Sequence, residues 1–211
     1  MQTIALRASL LHVRKREAVS GKAGSVAKDT VTAIGRCQGK RIMKKCVFAG
    51  TFDPPTLGHR AVVERAKKVF DEVIVAILVN PDKKPLFTVA ERMELLKKTM
   101  PFAEVKIISS EKTAADLMKE TGADCYLRGI RNGTDFDYET ANYYVSEKLC
   151  GEFIAMYVPC PQNLLHVSSS AVRAILKFGK SADGYVADEA KDLLLALYEE
   201  KKRDGTSAKN G

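Results

Sequence analysis

The sequence predicts an α/β fold, a doubly wound five-stranded parallel sheet of the Rossmann-like type. Three observations carry this. Short apolar runs alternate repeatedly with segments of helical period from Lys44 onward. Residues 73–79 are apolar without interruption, as in a strand covered on both faces. Residues 46–59 set a buried strand, a Gly/Pro turn and a helix start in succession, the junction where α/β sheets bind phosphates.

Residues 46–49 form the first strand. Gly50 ends it, and Pro54 and Pro55 exclude helix or ladder just beyond. Thr56 stands at an N-cap position ahead of the apolar-periodic segment 61–70. Strand two covers 73–79. Thr88 and Glu91 make a capping box for a helix over 88–100. A strand at 105–108 precedes a helix over 113–120 that ends near Gly122. Strand four, 125–127, is expected to stop at Arg128 and Gly129. A helix over 135–149 ends at Gly151, and a fifth strand over 153–158 is halted by Pro159 and Pro161. Helices follow over 168–178 and 187–202, and the polar residues from Asp204 on read as a frayed tail.

The 211-residue chain suits one such domain, at 43–203, with a basic extension at 1–42 and a polar tail at 204–211. The net charge of +8 is unevenly spread. The extension carries +7, and the rest of the chain only +1. A broad nucleic-acid face is therefore not expected. An extension outside the fold, an Arg-rich leader and a nucleic-acid arm remain open for residues 1–42. The five cysteines show no C-x-x-C spacing, so reduced thiols in a cytosol and no zinc site are expected. No apolar run approaches the roughly 18 residues needed to span a membrane.

Ligands of such sheets sit beyond the carboxyl ends of the strands, where the strand order reverses. The chemistry-bearing residues fall there. Thr51 and His59 follow strand one. His59 lies three residues after Thr56, on the same side of a first helical turn whose free N–H groups favour an anion. A structural histidine and an oxyanion donor both fit. Lys83 and Lys84 follow strand two, as a solvated turn or as charges over phosphates. Arg128 and Arg131 follow strand four, as snorkelling side chains or as guanidinium forks for phosphates, with Gly129 allowing a close backbone approach. Glu139 can accept from a ribose, brace an arginine or serve the helix dipole. Ser168, Ser169 and Ser170 open a helix, as a cap or as a phosphate grip to which Arg173 adds charge.

Together these residues resemble the T/H-x-G-H nucleotidyltransferase superfamily. Thr56-Leu57-Gly58-His59 matches its first signature, and Val167-Ser168-Ser169-Ser170-Ala171-Val172-Arg173 is similar to its second, I-S-S-T-x-x-R. Within it the chain looks like a phosphopantetheine adenylyltransferase of the bacterial type. The distinguishing blocks are 50–54, 83–88 with Glu91 and Arg92, and 128–131 followed by 135–139. The likeness runs from Lys44 to about Leu197.

The resemblance implies transfer of the adenylyl group of ATP to 4′-phosphopantetheine, giving 3′-dephospho-coenzyme A and pyrophosphate, the penultimate step of coenzyme A synthesis. It implies Mg²⁺ carried on the ATP phosphates, a homohexamer and a cytoplasmic location. It assigns Thr51, Lys83 and Arg128, with Ala114, to the pantetheine side, and His59 to transition-state stabilisation and ATP. Thr51, Phe52, Gly129, Ile130, Arg131, Glu139, Leu164, Leu165, His166, Val167, Ser168, Ser169 and Ser170 are assigned to the ATP side. The sequence departs from the family at Ser146, commonly Asn, in residues 160–166, which lack the usual acidic and aromatic residues, and at Ser170, commonly Thr. Two rivals stand beside this reading: a sister transferase using another phosphorylated acceptor, and a binding protein that has lost catalysis.

Overall fold

A computed structural model describes residues 44–79, 84–102 and 105–207. The extension at 1–42 and Lys83 lie outside the described residues. Five strands, β1 (Lys45–Gly50), β2 (Glu72–Leu78), β3 (Val105–Ser110), β4 (Cys125–Ile130) and β5 (Ala155–Pro159), form one sheet in the order β3-β2-β1-β4-β5. Every pairing is parallel. The order reverses between β1 and β4, so the carboxyl ends of these two strands flank the switch point.

The helices are α1 (Leu57–Ala66), α2 (Val89–Thr99), α3 (Ala114–Thr121), α4 (Gly133–Cys150), α5 (Ser169–Lys177) and α6 (Asp188–Ser207). Strand alternation divides the core in two. Cys46, Phe48, Val73, Val75 and Leu127 pack under α1 and α2 through Val62, Val63, Leu96 and Met100. Val47, Ala49, Ile74 and Ala76 face α3 through Leu117 and Met118, with Tyr126 and Phe153 beside them. A third cluster joins α2, α5 and α6 away from the sheet, through Leu95, Val172, Leu176 and Leu194. Cys46 and Cys125 are core thiols, pushed up by burial to about 12 and about 11.

Several boundaries differ from expectation, among them β3, which runs on to Ser110, and α4, which begins at Gly133. β4 does not stop at Arg128. Its ladder with β5 continues through Arg128↔Tyr157 and Gly129↔Val158, so these residues sit in the sheet itself. β5 starts two residues late because Phe153 turns into the core beside Tyr126. α6 runs on to Ser207, past the expected end at Lys202.

Candidate active site

A cleft of about 310 Å³ opens at the switch point. Its walls come from the end of β1 (Phe48, Ala49, Gly50), the loop and first turn of α1 (Phe52, Thr56, Gly58, His59), the end of β4 (Arg128, Gly129) and Arg131. Cys160 and Val167 to Ser170 close the far side.

His59 is locked into the start of α1. Thr56 is the N-cap, and its hydroxyl accepts the His59 N–H at 3.5 Å. In return the Thr56 N–H donates to His59 Nδ1 at 3.0 Å. This is a capping box in which an imidazole replaces the usual Glu or Gln. Nδ1 must be the unprotonated nitrogen to accept that bond, so the neutral ring carries its proton on Nε2. The ring is only partly exposed, and Phe52 stands edge-on to it at 5.0 Å. Its pKa is pushed down to about 4, first by burial and then by the positive charges of Arg131 and Arg128. His59 is thus a neutral N–H donor at physiological pH.

The loop after β1 is held from behind by three arginines. Arg128 donates to the Ala49 carbonyl at 2.8 Å, Arg92 of α2 to the Thr51 carbonyl at 2.7 Å, and Arg173 of α5 to the Asp53 carbonyl. Asp53 itself is buried, ahead of a cis bond to Pro54. Its carboxylate accepts the Leu86 and Phe87 N–H groups, each at 2.9 Å, and lies 3.4 Å from Arg173. Arg173 therefore serves the loop rather than offering a free charge, as the sequence had suggested. Asp53 and the Arg92 bond were not anticipated. Both act across 33 residues or more, which no local spacing signals.

At β4, Arg128 and Glu139 form a two-toothed pair, Nε to Oε2 and Nη2 to Oε1, both at 2.5 Å. Of the alternatives open for Glu139, bracing an arginine is the one realised. Arg131 pairs with Asp135 in the same way, at 2.9 and 3.1 Å. That hydrogen bond above all holds the Asp135 carboxyl below its usual range. Gly129 lines the cleft and also meets a packing need. A Cβ there would lie 2.8 Å from Val62 Cγ2, so the close approach is that of α1 to the sheet.

The three serines divide their work. Ser168 caps α5, accepting the Ala171 N–H at 3.1 Å. Ser169 donates to the Pro54 carbonyl at 2.8 Å, and the Ser170 hydroxyl accepts from Arg173 at 3.2 Å. What α5 leaves toward the cleft is its first-turn N–H groups. Leu164 lies in a short 3-10 turn (Gln162–Leu164), and Leu165 is exposed. His166 packs edge-on to Tyr185 at 5.2 Å. None of these three lines the cleft, nor does Ile130. Ala114 starts α3 at the carboxyl end of β3 and packs against the α3-side core. Thr51 follows β1 and is not among the residues that line the cleft. Cys160, for which no role was expected, lines the cleft because its N–H extends the β4–β5 ladder by bonding the Ile130 carbonyl at 2.8 Å.

The comparisons with known proteins agree with this geometry. The cytidylyltransferase-like family model matches residues 47–175. The chain is 38% identical over 154 residues to the phosphopantetheine adenylyltransferase of Clostridium novyi (strain NT), covering 72% of this chain and 96% of that one. It is 39% identical over 145 residues to that of Symbiobacterium thermophilum, covering 68% and 90%. It is 36% identical over 158 residues to that of Streptococcus pneumoniae (strain 70585), covering 74% and 96%. Among solved structures, a Vibrio parahaemolyticus protein assigned as a nicotinate-nucleotide adenylyltransferase superposes with a TM-score of 0.57 at 24% identity, covering 75% of this chain and 97% of that one. The Plasmodium falciparum nicotinic acid mononucleotide adenylyltransferase does so at 0.55 and 17%, covering 75% and 98%. At that identity the two superpositions speak for the fold alone. The sequence relatives, matched over nearly their full length, go further: the chain belongs to the phosphopantetheine adenylyltransferase family.

Proposed function

We propose that the protein transfers the adenylyl group of ATP to 4′-phosphopantetheine, giving 3′-dephospho-coenzyme A and pyrophosphate. The observation that carries this reading is His59. It is a neutral imidazole with its proton fixed on Nε2, set at a cleft between a helix N-terminus and the paired arginines of β4. The acceptor phosphate is already a nucleophile at neutral pH. An oxygen of it bonds to the α-phosphorus as the bond to the pyrophosphate oxygen breaks. No base and no covalent enzyme intermediate is required, so catalysis is positioning plus stabilisation of charge. Nε2–H of His59 serves the α-phosphate oxygens as their charge grows.

Thr51, Lys83 and Arg128 then hold the acceptor phosphate, with Ala114 farther along the pantetheine arm. Phe52, Gly129, Arg131, Glu139 and the run Val167, Ser168, Ser169, Ser170 border ATP, while Ile130, Leu164, Leu165 and His166, given to ATP by the resemblance, stand behind the cleft walls. The amides of the first turn of α5 are suited to its phosphates. Among the described residues no group of three or more His, Cys, Asp or Glu side chains could hold a metal ion. Glu139 and Asp135 are moreover engaged by arginines. This donor set fits an Mg²⁺ ion that arrives on the nucleotide and keeps mostly phosphate and water ligands. Such an ion neutralises charge on the phosphates.

Among the described residues no helix is long and apolar enough to cross a membrane. A cytoplasmic homohexamer completes the proposal. Self-association is supported by α4, which buries none of its residues and exposes Tyr138, Tyr144, Val145 and Leu149, and by the exposed Met156 of the edge strand β5.

The test is initial-rate pyrophosphate release with MgATP and a panel of acceptors: 4′-phosphopantetheine, nicotinate mononucleotide, glycerol 3-phosphate and phosphocholine. Turnover with the first alone is expected. Turnover with another acceptor and none with phosphopantetheine overturns the proposal.

A further inference from the structure

Arg92 is one of four buried polar or charged residues in the described chain, with 2% of its surface exposed, and its guanidinium bonds no carboxylate there, although the Asp53 charge acts on it from a distance. Burying a guanidinium is costly unless its donors are satisfied. A Leu or Met at this point of α2, beside Leu95 and Leu96, would avoid that cost. Burial also lowers the pKa of Arg92. Its hydrogen bonds go to main-chain carbonyls alone, Thr88 at 3.3 Å through Nε and Thr51 at 2.7 Å through Nη1.

Those two carbonyls belong to different walls of the acceptor side. Thr51 follows β1. Thr88 closes the segment 84–88, which continues directly from Lys83. A second tie joins the same two segments with opposite polarity, the Asp53 carboxylate on the Leu86 and Phe87 amides. Asp53 also bonds Arg173 of α5, so it reaches the serine helix as well. Arg92 makes no hydrogen bond to α5 among the described residues and reaches the nucleotide side only through the Thr51 main chain.

We propose that Arg92 is a positioning residue for the acceptor phosphate: its guanidinium fixes the Thr51 main chain against the start of α2 at Thr88. The inference rests on the proposed function and adds to it a residue that touches no substrate. A fork with two aligned donors meets two carbonyls at once, whereas a lysine ammonium brings the charge without that geometry.

The test measures kcat, acceptor KM and the ATP dissociation constant for the full chain and for Arg92→Gln and Arg92→Lys. Leu194→Ala, in the separate α2–α5–α6 core, serves as a control for lost stability. In Arg92→Gln, kcat/KM for 4′-phosphopantetheine is expected to fall about 100-fold, the scale of a roughly 1 Å misplacement. ATP affinity is expected to fall much less than acceptor kcat/KM, since Arg92 touches the nucleotide side only through the Thr51 main chain. Arg92→Lys should fall between this variant and the unchanged chain, and it carries the test if Arg92→Gln does not fold. Unchanged acceptor kinetics in both variants overturn the proposal. So does a parallel loss of ATP and acceptor binding that Leu194→Ala reproduces at equal loss of Tm. Absence of turnover in the unchanged chain overturns the function itself, and the positioning role with it.

Discussion

Helices α1 and α5 both bring their first turns to the cleft, yet they spend their side chains in opposite ways. At α5 the serine hydroxyls and Arg173 are consumed internally, on the cap, the Pro54 carbonyl and the Asp53 carbonyl. At α1 the cap is closed by an imidazole, and that closure occupies one nitrogen while fixing a proton on the other. The two ends share the N–H groups of any helix start. Only α1 adds a directed donor able to respond to charge developing in a transition state. The difference suggests that α5 contributes binding through its main chain, and α1 contributes rate.

The sharpest way to break this contrast is His59→Ala. Losing one donor to a developing oxyanion costs on the order of 3 kcal/mol, so kcat should fall about 100-fold or more. ATP affinity should change far less, and equal losses in kinetics and in nucleotide titration would reduce His59 to a binding residue. Thr56→Ala comes next. It removes the hydroxyl half of the capping box, with an expected loss of about 1 kcal/mol in chemical denaturation. A kcat decrease should accompany it, because the ring's orientation depends on the same turn. Ser170→Ala should be smallest, within about 0.5 kcal/mol in stability, since its hydroxyl only braces the exposed side of Arg173. If Ser170→Ala matched His59→Ala in kcat, the division between the helices would be wrong.

The acid limb gives an independent check. His59 has a folded pKa near 4, below its ordinary 6.5, so between these values the unfolded chain binds the extra proton. Stability from this group is therefore intact above about pH 6.5 and is lost as pH falls through the window to about 4. In the free enzyme kcat/KM should lose its His59-dependent part only as pH approaches 4. Denaturation midpoints of the unchanged chain and His59→Gln, compared from pH 8 to 4.5, should converge in the direction of acid. Parallel curves would mean that His59 titrates normally.

The contrast also marks what a sequence can carry. β1 and β2 were legible because uninterrupted apolar runs, 46–49 and 73–79, leave no other period. Thr56 and His59 were legible because the capping relation is three residues long. Arg128 and Gly129 were assigned to a turn because polarity and Gly usually end strands. The ladder to β5 overrode that local signal. Asp53, Arg92 and Arg173 could not be placed from sequence, since each bonds across 33 to 120 residues. The α4 helix was recognisable by its C-terminal end, with Gly151 after it, whereas its Asn132 N-cap was not read, and its apolar residues follow no stripe that names a buried face. Ala114 and residues 164–166 were assigned by family likeness, and the chain's own geometry puts them outside the cleft walls.

The central claim is that His59 meets the substrate as a neutral ring with its proton on Nε2. Nitrogen-15 NMR of the imidazole in the unchanged protein tests it directly. The account predicts an unprotonated Nδ1, a protonated Nε2 and no titration between pH 8 and about 5. A proton on Nδ1, or a midpoint near 6.5, would contradict it.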